Sequence, residues 1–278
     1  MNIFIAGLGL IGGSLARAIS SRTCHSVFGF DRSPSACGKA LAEGAISAIA
    51  TEKDITDCDI IIVALYPGAS IEFLEQNCKR FKKGAIVIDT CGIKSEICEK
   101  GFEIADKNGF TFIGGHPMAG VERSGFEHSF ASLFDGASMI LCPSESTKKE
   151  ETDTVSSLCE EIGFGRITIS TPSHHDKVIA FTSQLAHLVS SAYVAGEYAT
   201  EHKGFSAGSY KDMTRVARLN ADMWTELFFE NKENLSCVCT ELIGNLAKFK
   251  DALDKGDRES VHKMLSDGNE RKIISDSL

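Results

Sequence analysis

The segment "GLGLIGGS" (residues 7–14) indicates the fold of the N-terminal region. It follows an apolar strand pattern, opens a helical one, and spaces its glycines as Gly7-x-Gly9-x-x-Gly12. Gly7 allows a tight turn, Gly9 lets a phosphate approach the backbone, and Gly12 lets the helix pack against the strand. This order predicts a dinucleotide-binding loop, because amides at a helix N-terminus bind phosphate.

A carboxylate ends the second strand pattern, where such folds bind a ribose hydroxyl. Asp31 holds this position, and it favours NAD because it would repel the 2′-phosphate of NADP. Arg32 follows at once and could partner that phosphate, so NADP is the less favoured alternative. The loops after later strands are either cofactor contacts or plain loop structure. The further predicted cofactor contacts are Leu10, Ile11, Ala64, Leu65 and Thr90.

Strand and helix patterns alternate through the first part of the chain, which predicts a Rossmann-like, mostly parallel sheet covered by helices on both faces. The predicted strands are residues 2–6, 26–31, 59–65, 84–90, 110–115, 137–143 and 165–170, and the predicted helices are 11–20, 36–43 and 71–81.

The pattern changes near Thr171, after which helical periodicity dominates to the end of the chain. We therefore predict a dinucleotide-binding domain over residues 1–171 and an all-helical domain over residues 172–278. The apolar faces of the helical part are too extensive for one small layer, which predicts a homodimer. The predicted helices here are 174–201, 211–229, 231–253 and 257–275.

The composition limits which partners and which cellular compartment we expect for the protein. A net charge of −9 and a pI near 5.4 argue against a nucleic-acid partner. No apolar run approaches the roughly 18 residues of a membrane helix, and the first residues form a strand rather than a signal peptide. The 10 cysteines form no Cys-x-x-Cys pair, and Cys237-x-Cys239 lacks metal-ligand spacing. We expect reduced thiols, a cytoplasmic protein and no metal.

The stretch "GGHPMAG" (114–120) places His116 just past the end of a strand pattern, where ligands bind in such folds. Pro117 restricts the histidine to extended backbone, and Gly114 and Gly115 leave room beside it. Two interpretations stay open at this point. The ring faces a bound ligand, or it is hydrogen-bonded to its own loop.

Two further candidates lie in the helical part. Ser183 and His187 share one helix face, which suits a cleft wall or, alternatively, a core histidine satisfied by a carbonyl. Arg215 follows Asp212 by three in "KDMTRVARLNADMW" (211–224). This arginine either binds a substrate carboxylate or forms a surface ion pair of little energetic value.

Taken together, these motifs resemble the prephenate dehydrogenase family of tyrosine biosynthesis over nearly the whole chain. The resemblance rests, in order, on "GLGLIGGS", "VIDTCGIK", "GGHPMAGVERSG", "TSQLAHLVSSA" and "KDMTRVARLNADMW". It implies a nucleotide-binding domain followed by a helical dimerisation domain. It also implies oxidative decarboxylation of prephenate, with NAD, to 4-hydroxyphenylpyruvate.

The resemblance also assigns roles by motif. It implies that His116 accepts a hydrogen bond from the ring hydroxyl, and that His187 and Ser183 recognise the substrate. It implies that Arg215 holds the side-chain carboxylate. For the acid after "HPMAG" and the aspartate before "TR", it implies a part in gating the entrance; these are Glu122 and Asp212.

One position departs from the family pattern. In many members, a serine follows the strand that carries the aspartate of "VIDTCGIK", and this serine contacts both nicotinamide and substrate. Here Gly92 stands in its place. Thr90, Cys91 or a water would have to replace that hydroxyl. Three rival functions remain open: an arogenate or dual-specificity cyclohexadienyl dehydrogenase, a β-hydroxyacid dehydrogenase, and a regulator that binds NAD without turnover.

Overall fold

A computed structural model describes residues 1–51, 54–121 and 123–277. The first part of the chain forms one sheet with helices on both faces, and the remainder is helical. The strands are β1 (Asn2–Ala6), β2 (Ser26–Phe30), β3 (Ala48–Ile49), β4 (Ile60–Val63), β5 (Ile86–Asp89), β6 (Thr111–Pro117), β7 (Ser138–Pro143) and β8 (Arg166–Ile169). The helices are α1 (Leu10–Arg22), α2 (Pro34–Ala42), α3 (Pro67–Asn77), α4 (Ser95–Asn108), α5 (Lys149–Glu161), α6 (Pro172–Ile179), α7 (Leu185–Val194), α8 (Gly208–Thr214), α9 (Ala221–Glu230), α10 (Lys232–Asp254) and α11 (Arg258–Asp276).

The sheet has eight strands in the order β3-β2-β1-β4-β5-β6-β7-β8. All neighbouring strands run parallel except β6 and β7, which are antiparallel. The strand order reverses between β1 and β4, the point at which open α/β sheets bind their ligands. The predicted Rossmann-like, mostly parallel sheet is confirmed.

Apolar side chains on the two faces of the sheet form two hydrophobic clusters. One packs α1, α2 and α5 against the sheet, and the other packs α3 and α4 against the opposite face. The strands β4 and β5 are buried along their whole length, as expected for parallel strands covered on both sides. The buried residues of both clusters lie between Ile3 and Phe164, so the helical part contributes none of them.

The helix predicted over residues 174–201 is shorter and contains a local irregularity. It begins at Pro172, passes through a π-helical turn at Ala180–Gln184, and ends at Val194. A π-helical turn inserts one extra residue and shifts the helix faces on either side of it. Asp176 and Ala180, which precede Ser183 on the same stretch, are buried in the interior.

The helix predicted over residues 211–229 is also interrupted. Helix α8 ends at Thr214, a short 3₁₀ turn covers Arg215–Ala217, and α9 begins at Ala221. The Asn220 side chain accepts a hydrogen bond from the amide of Met223, which caps α9. This cap starts a new helix where the pattern alone suggested a continuous one.

The last two helices present much of their apolar surface to solvent in the single chain. Within α10 and α11, only Leu235 and Ala252 are buried among the described residues. Large exposed apolar patches mark interaction sites in soluble proteins. No described helix is long and apolar enough to cross a membrane. The exposed apolar side chains of α10 and α11 are Ile243, Leu246, Leu253, Leu265, Ile273 and Ile274.

Candidate active site

The glycine loop between β1 and α1 has the geometry of a phosphate cradle. Gly7 has a φ of +91°, and a Cβ there would lie 2.3 Å from the carbonyl oxygen of Ala64. A Cβ on Gly12 would lie 1.9 Å from the carbonyl oxygen of Gly7, whereas a Cβ on Gly9 would meet no atom within 4 Å. Gly7 and Gly12 are therefore required by the fold, and the space beside Gly9 stays open. These residues fit the pyrophosphate of a dinucleotide.

Asp31 lies beside the glycine loop, and its carboxylate is held by two backbone amides. Its Oδ2 accepts from the amide of Leu8 at 2.8 Å, and its Oδ1 accepts from the amide of Ser33 at 2.7 Å. The carboxylate is thereby fixed where a ribose hydroxyl would be bound. Arg32 is exposed.

The other predicted cofactor contacts line the same edge of the sheet. Gly9 caps α1 without a side-chain hydrogen bond, so the first amides of the helix are directed toward this edge. The residues in question are half-buried: Leu10, Ile11, Ala64, Leu65 and Thr90.

His116 lies within β6, not beyond it as predicted. The strand continues to Pro117 because β7 runs antiparallel beside it and pairs Ile140 with His116. Gly115 has a packing role, because a Cβ there would lie 2.4 Å from the carbonyl oxygen of Asp89. The glycines before the histidine thus let β6 pack closely on its neighbours.

The ring of His116 is hydrogen-bonded to the helical part of the chain rather than to its own loop. Its Nδ1 lies 2.8 Å from Nε2 of His175, which is buried near the start of α6. The Nδ1 of His175 lies 2.7 Å from Oδ1 of Asp176. Gly92 lies on the other side of the ring, since a Cβ on it would be 3.9 Å from Nε2 of His116. The Nε2 atom therefore faces the position of the missing family serine.

Asp176 joins the sheet to the helical part. Its Oδ1 accepts from the amide of Lys94 at 2.8 Å, and its Oδ2 accepts from the amide and the hydroxyl of Ser95. Burial opposes the ionised form, but the hydrogen bonds from His175, Ser95 and Lys94 lower the pKa of Asp176 below its ordinary value. We call Lys94, Ser95, His175 and Asp176 the Asp176 junction.

A buried ion pair between Lys94 and Asp89 lies next to the Asp176 junction. The Nζ of Lys94 pairs with Oδ2 of Asp89 and donates to the carbonyl oxygen of Gly115 at 2.8 Å, and both charged side chains are fully buried. Burial lowers the pKa of Lys94, but the neighbouring Asp89 carboxylate outweighs it and raises that pKa overall. The pair fixes the end of β5 against β6 at Gly115, the residue before His116.

The environment of His116 keeps its ring neutral. Burial first, and then the nearby His175 and Lys94, lower the pKa of His116 well below its ordinary value, against a smaller opposing effect of Asp176. A neutral imidazole at physiological pH can accept a proton, which is what a general base requires.

His187 on α7 contacts both the 3₁₀ turn and α9. Its Nδ1 donates to the carbonyl oxygen of Val216 at 3.0 Å, and its ring lies 3.8 Å from that of Trp224, centre to centre. The Nδ1 atom of His187 is thus hydrogen-bonded to a carbonyl, as one of the two interpretations predicted. This nitrogen must carry the proton, because a carbonyl oxygen only accepts hydrogen bonds. Ser183 lies in the π-helical turn and is half-buried.

Helix α9 closes the cleft over the sheet edge. The Leu227 side chain would lie 3.6 Å from a Cβ on Gly92, and Glu226 accepts from the amide of Gly68 at 3.3 Å. Trp224, which stacks on His187, lies one turn earlier on the same helix. His116 and His187 are therefore linked through Gly92 and α9.

The remaining predicted site residues are less enclosed. Asp212 is exposed near the end of α8, and Arg215 is exposed in the turn that follows it. Glu122 lies outside the described residues. Cys91 cannot replace the missing serine hydroxyl, because its buried thiol faces Ser70 at 3.5 Å.

The second histidine of the site was not predicted from the sequence. His175 belongs to "SHHD", where two adjacent histidines precede an aspartate just after Pro172. A histidine and a carboxylate at a helix start were a usable signal, but their partners lie 59 and 82 residues away in the chain. Among residues 1–51, 54–121 and 123–277, no group of acidic, cysteine and histidine side chains could hold a metal ion.

Two family models together match most of the chain. Residues 15–168 match the prephenate dehydrogenase nucleotide-binding domain, and residues 171–267 match the prephenate dehydrogenase dimerization domain. The chain belongs to the prephenate dehydrogenase family. It is therefore an NAD-dependent oxidoreductase, and the sequence-based family assignment is confirmed.

Individual relatives agree with this assignment. The chain is 31% identical to a prephenate dehydrogenase of Lactococcus lactis subsp. cremoris, over 96% of this chain and 75% of that protein. The crystal structure of Synechocystis arogenate dehydrogenase is similar with a TM-score of 0.86 and 26% identity, covering 99% of this chain and 100% of that one. Prephenate dehydrogenase from A. aeolicus, in complex with hydroxyphenyl propionate and NAD+, has a TM-score of 0.82 and 26% identity, covering 98% and 97%.

Proposed function

We propose that this chain catalyses the NAD-dependent oxidative decarboxylation of prephenate to 4-hydroxyphenylpyruvate, a step of tyrosine biosynthesis. One observation carries the proposal. The neutral ring of His116 is fixed at the carboxyl edge of the sheet, with Nε2 turned toward Gly92 and away from its hydrogen-bonded Nδ1. A proton acceptor is thus held next to the cofactor edge of the fold.

His116 is the general base of the proposed reaction. Its Nε2 accepts the proton of the ring hydroxyl as a hydride leaves the carbon that bears this hydroxyl. Bound NAD supplies the hydride acceptor. Loss of CO₂ then makes the ring aromatic, which renders the reaction effectively irreversible. A positioned base of this kind contributes about 10²–10⁴ in rate.

The helical wall supplies substrate recognition in this proposal. His187 donates from Nδ1 to the carbonyl oxygen of Val216, which fixes the orientation of its ring, and we assign this ring to substrate recognition. Ser183 lies one turn before it, and Arg215 follows in the segment that packs on α7. We assign Arg215 to the side-chain carboxylate and Asp212 to the entrance. Glu122 is assigned to the entrance by its motif alone.

The cofactor-binding residues are proposed from the geometry of the loop. The open space beside Gly9 suits the pyrophosphate, and the fixed carboxylate of Asp31 suits a ribose diol better than a 2′-phosphate. We therefore assign the cofactor contacts to this loop and to the strand ends beside it. They are Gly7, Gly9, Leu10, Ile11, Gly12, Asp31, Arg32, Ala64, Leu65 and Thr90.

We propose a division between the nucleotide-binding and helical parts at residues 171 and 172. The sheet ends with β8 at Ile169, and α6 begins at Pro172. The exposed apolar faces of α10 and α11, together with the match to a dimerization domain, support a homodimer. A cytoplasmic location and the absence of a nucleic-acid partner stay predictions.

A crossed assay tests the function. Prephenate and arogenate are each incubated with NAD and with NADP, and formation of the reduced nicotinamide is followed by absorbance. We expect the highest kcat/KM with prephenate and NAD. A higher kcat/KM with arogenate would make the chain an arogenate dehydrogenase. Binding of NAD by calorimetry without turnover of either substrate would refute the enzymatic proposal.

A further inference from the structure

The contact between His116 and His175 has no role in the reaction described so far. The two rings meet edge to face at 62°, with their nitrogen atoms 2.8 Å apart. His175 is 2% exposed, so its ring meets protein atoms and not solvent. A histidine pair with one fully buried ring needs an account of where each proton lies.

The proton positions follow from the hydrogen-bond chain. The carboxylate of Asp176 only accepts hydrogen bonds, so Nδ1 of His175 must carry a proton. The Nε2 of a neutral His175 is then an acceptor, so Nδ1 of His116 must donate to it. This leaves the lone pair of His116 on Nε2, the atom that faces Gly92.

The charged groups around the two histidines differ, so a positive charge has a different environment on each ring. A positive charge on His116 is disfavoured by burial and by the ammonium group of Lys94, which pairs with Asp89 and bonds neither ring. A positive charge on His175 would lie 2.7 Å from the carboxylate of Asp176. A positive charge that passes from His116 to His175 therefore moves away from an ammonium group and next to a carboxylate.

We propose that His175, held by Asp176, is a positioning residue that fixes the tautomer of His116 and receives a proton from it during the reaction. The substrate O–H bond breaks and a bond forms between that proton and Nε2 of His116. The bond from Nδ1 of His116 to its proton breaks, and the proton binds Nε2 of His175. His116 ends neutral in the opposite tautomer, and the charge rests on His175 beside Asp176.

This proposal rests on the proposed function for the source of the proton, but its tautomer assignment holds without substrate. The first test is therefore nitrogen-15 NMR of the histidine rings in the full-length protein, without substrate. We expect His116 to carry its proton on Nδ1, and the first added proton to bind His175. A proton on Nε2 of neutral His116, or first protonation of His116, would overturn the proposal. This result does not depend on which substrate the enzyme uses.

The second test is His175→Gln, whose amide oxygen can accept the hydrogen bond of His116 but whose side chain cannot take up a proton. We expect kcat to fall at least about tenfold, with KM for the substrate and affinity for NAD within about threefold. The acid limb of the pH profile should move to lower pH, because His116 alone is harder to protonate than the pair. His174→Gln, which alters the exposed neighbouring histidine, is the matched control.

The outcomes separate a proton-accepting role from a structural one. An unchanged kcat, or a lower kcat with an unmoved acid limb, would overturn the proposal. Glu230 on α9 needs its own control, because burial and the nearby Glu226, Glu96 and Asp176 raise its pKa to about 7. Glu230→Gln should leave the acid limb assigned to the histidine pair in place.

Discussion

The two sides of the cleft are built in different ways. The cofactor side uses backbone geometry within a short stretch, where Gly7, Gly9 and Gly12 shape one turn. The histidine side uses side chains from β6, α6 and α7, which meet only because the chain folds. In the proposed function, the first side binds the cofactor and the second transfers the proton.

The two sides therefore tolerate different kinds of substitution. On the cofactor side, the fold itself excludes larger residues, since a Cβ at Gly12 would overlap the backbone. On the histidine side, a substitution can preserve shape while removing a proton acceptor. Variants of the two sides should therefore separate loss of binding from loss of chemistry.

The largest effect is expected on the histidine side. His116→Asn should lower kcat by about 10²–10⁴, because the general base is lost while the cofactor loop is untouched. Steady-state kinetics and calorimetric titration of NAD measure the two properties separately. His262→Asn, which alters an exposed histidine on α11, is the control. A kcat near the wild-type value would remove His116 from the reaction.

A smaller effect is expected from the carboxylate-binding residue. Arg215→Ala should raise KM for prephenate by about 10- to 100-fold, since a charge-assisted hydrogen bond is worth about 1.5–3 kcal/mol. Arg218→Ala removes an exposed arginine from the same segment and should leave KM unchanged. Equal KM values in the two variants would exclude Arg215 from the carboxylate site.

The glycine loop offers a matched pair of variants for the cofactor side. Gly12→Ala should destabilise the protein by about 1–3 kcal/mol, because its Cβ would overlap the carbonyl of Gly7. Gly9→Ala should keep the thermal midpoint and weaken only NAD binding, because its Cβ meets open space in the protein. Thermal unfolding and calorimetry measure these effects. Full NAD affinity in Gly9→Ala would place the pyrophosphate elsewhere.

The smallest effect is expected where the two sides meet. Gly92→Ser adds a hydroxyl near Nε2 of His116, and its Cβ would make only ordinary contacts. One additional hydrogen bond predicts a rise in kcat/KM of about two- to tenfold. Gly92→Ala adds the same Cβ without the hydroxyl and should have no such effect. No gain in the serine variant would mean that Thr90 or a water already fills the role.

The cofactor side could be predicted from the sequence because its information is local. The glycine spacing and Asp31 lie within one strand-helix-strand unit, and each element was found close to its predicted bounds. Helices α4 and α5 and the short strand β3 were not predicted. Helix α5 is rich in charged residues, and only Val155, Leu158 and Cys159 are buried on it, so its pattern was weak.

The histidine side could be predicted only in part. His116 and His187 stood out through their motifs, but the partner of His116 could not be found because the antiparallel pairing of β6 and the fold of α6 decide it. The π-helical turn at Ala180–Gln184 likewise could not be recognised from the spacing of apolar residues. Long-range contacts between buried polar groups are set by tertiary structure, which one sequence does not display.

The convergence of hydrogen bonds on Asp176 has a mechanical consequence. This carboxylate links the amides after β5 to the start of α6, in a buried position. By contrast, α9 meets α3 through an exposed hydrogen bond, which Glu226 accepts from the amide of Gly68. Breaking a buried set of charged hydrogen bonds costs more than breaking an exposed one, so we expect the start of α6 to stay fixed to the sheet when the protein binds its ligands.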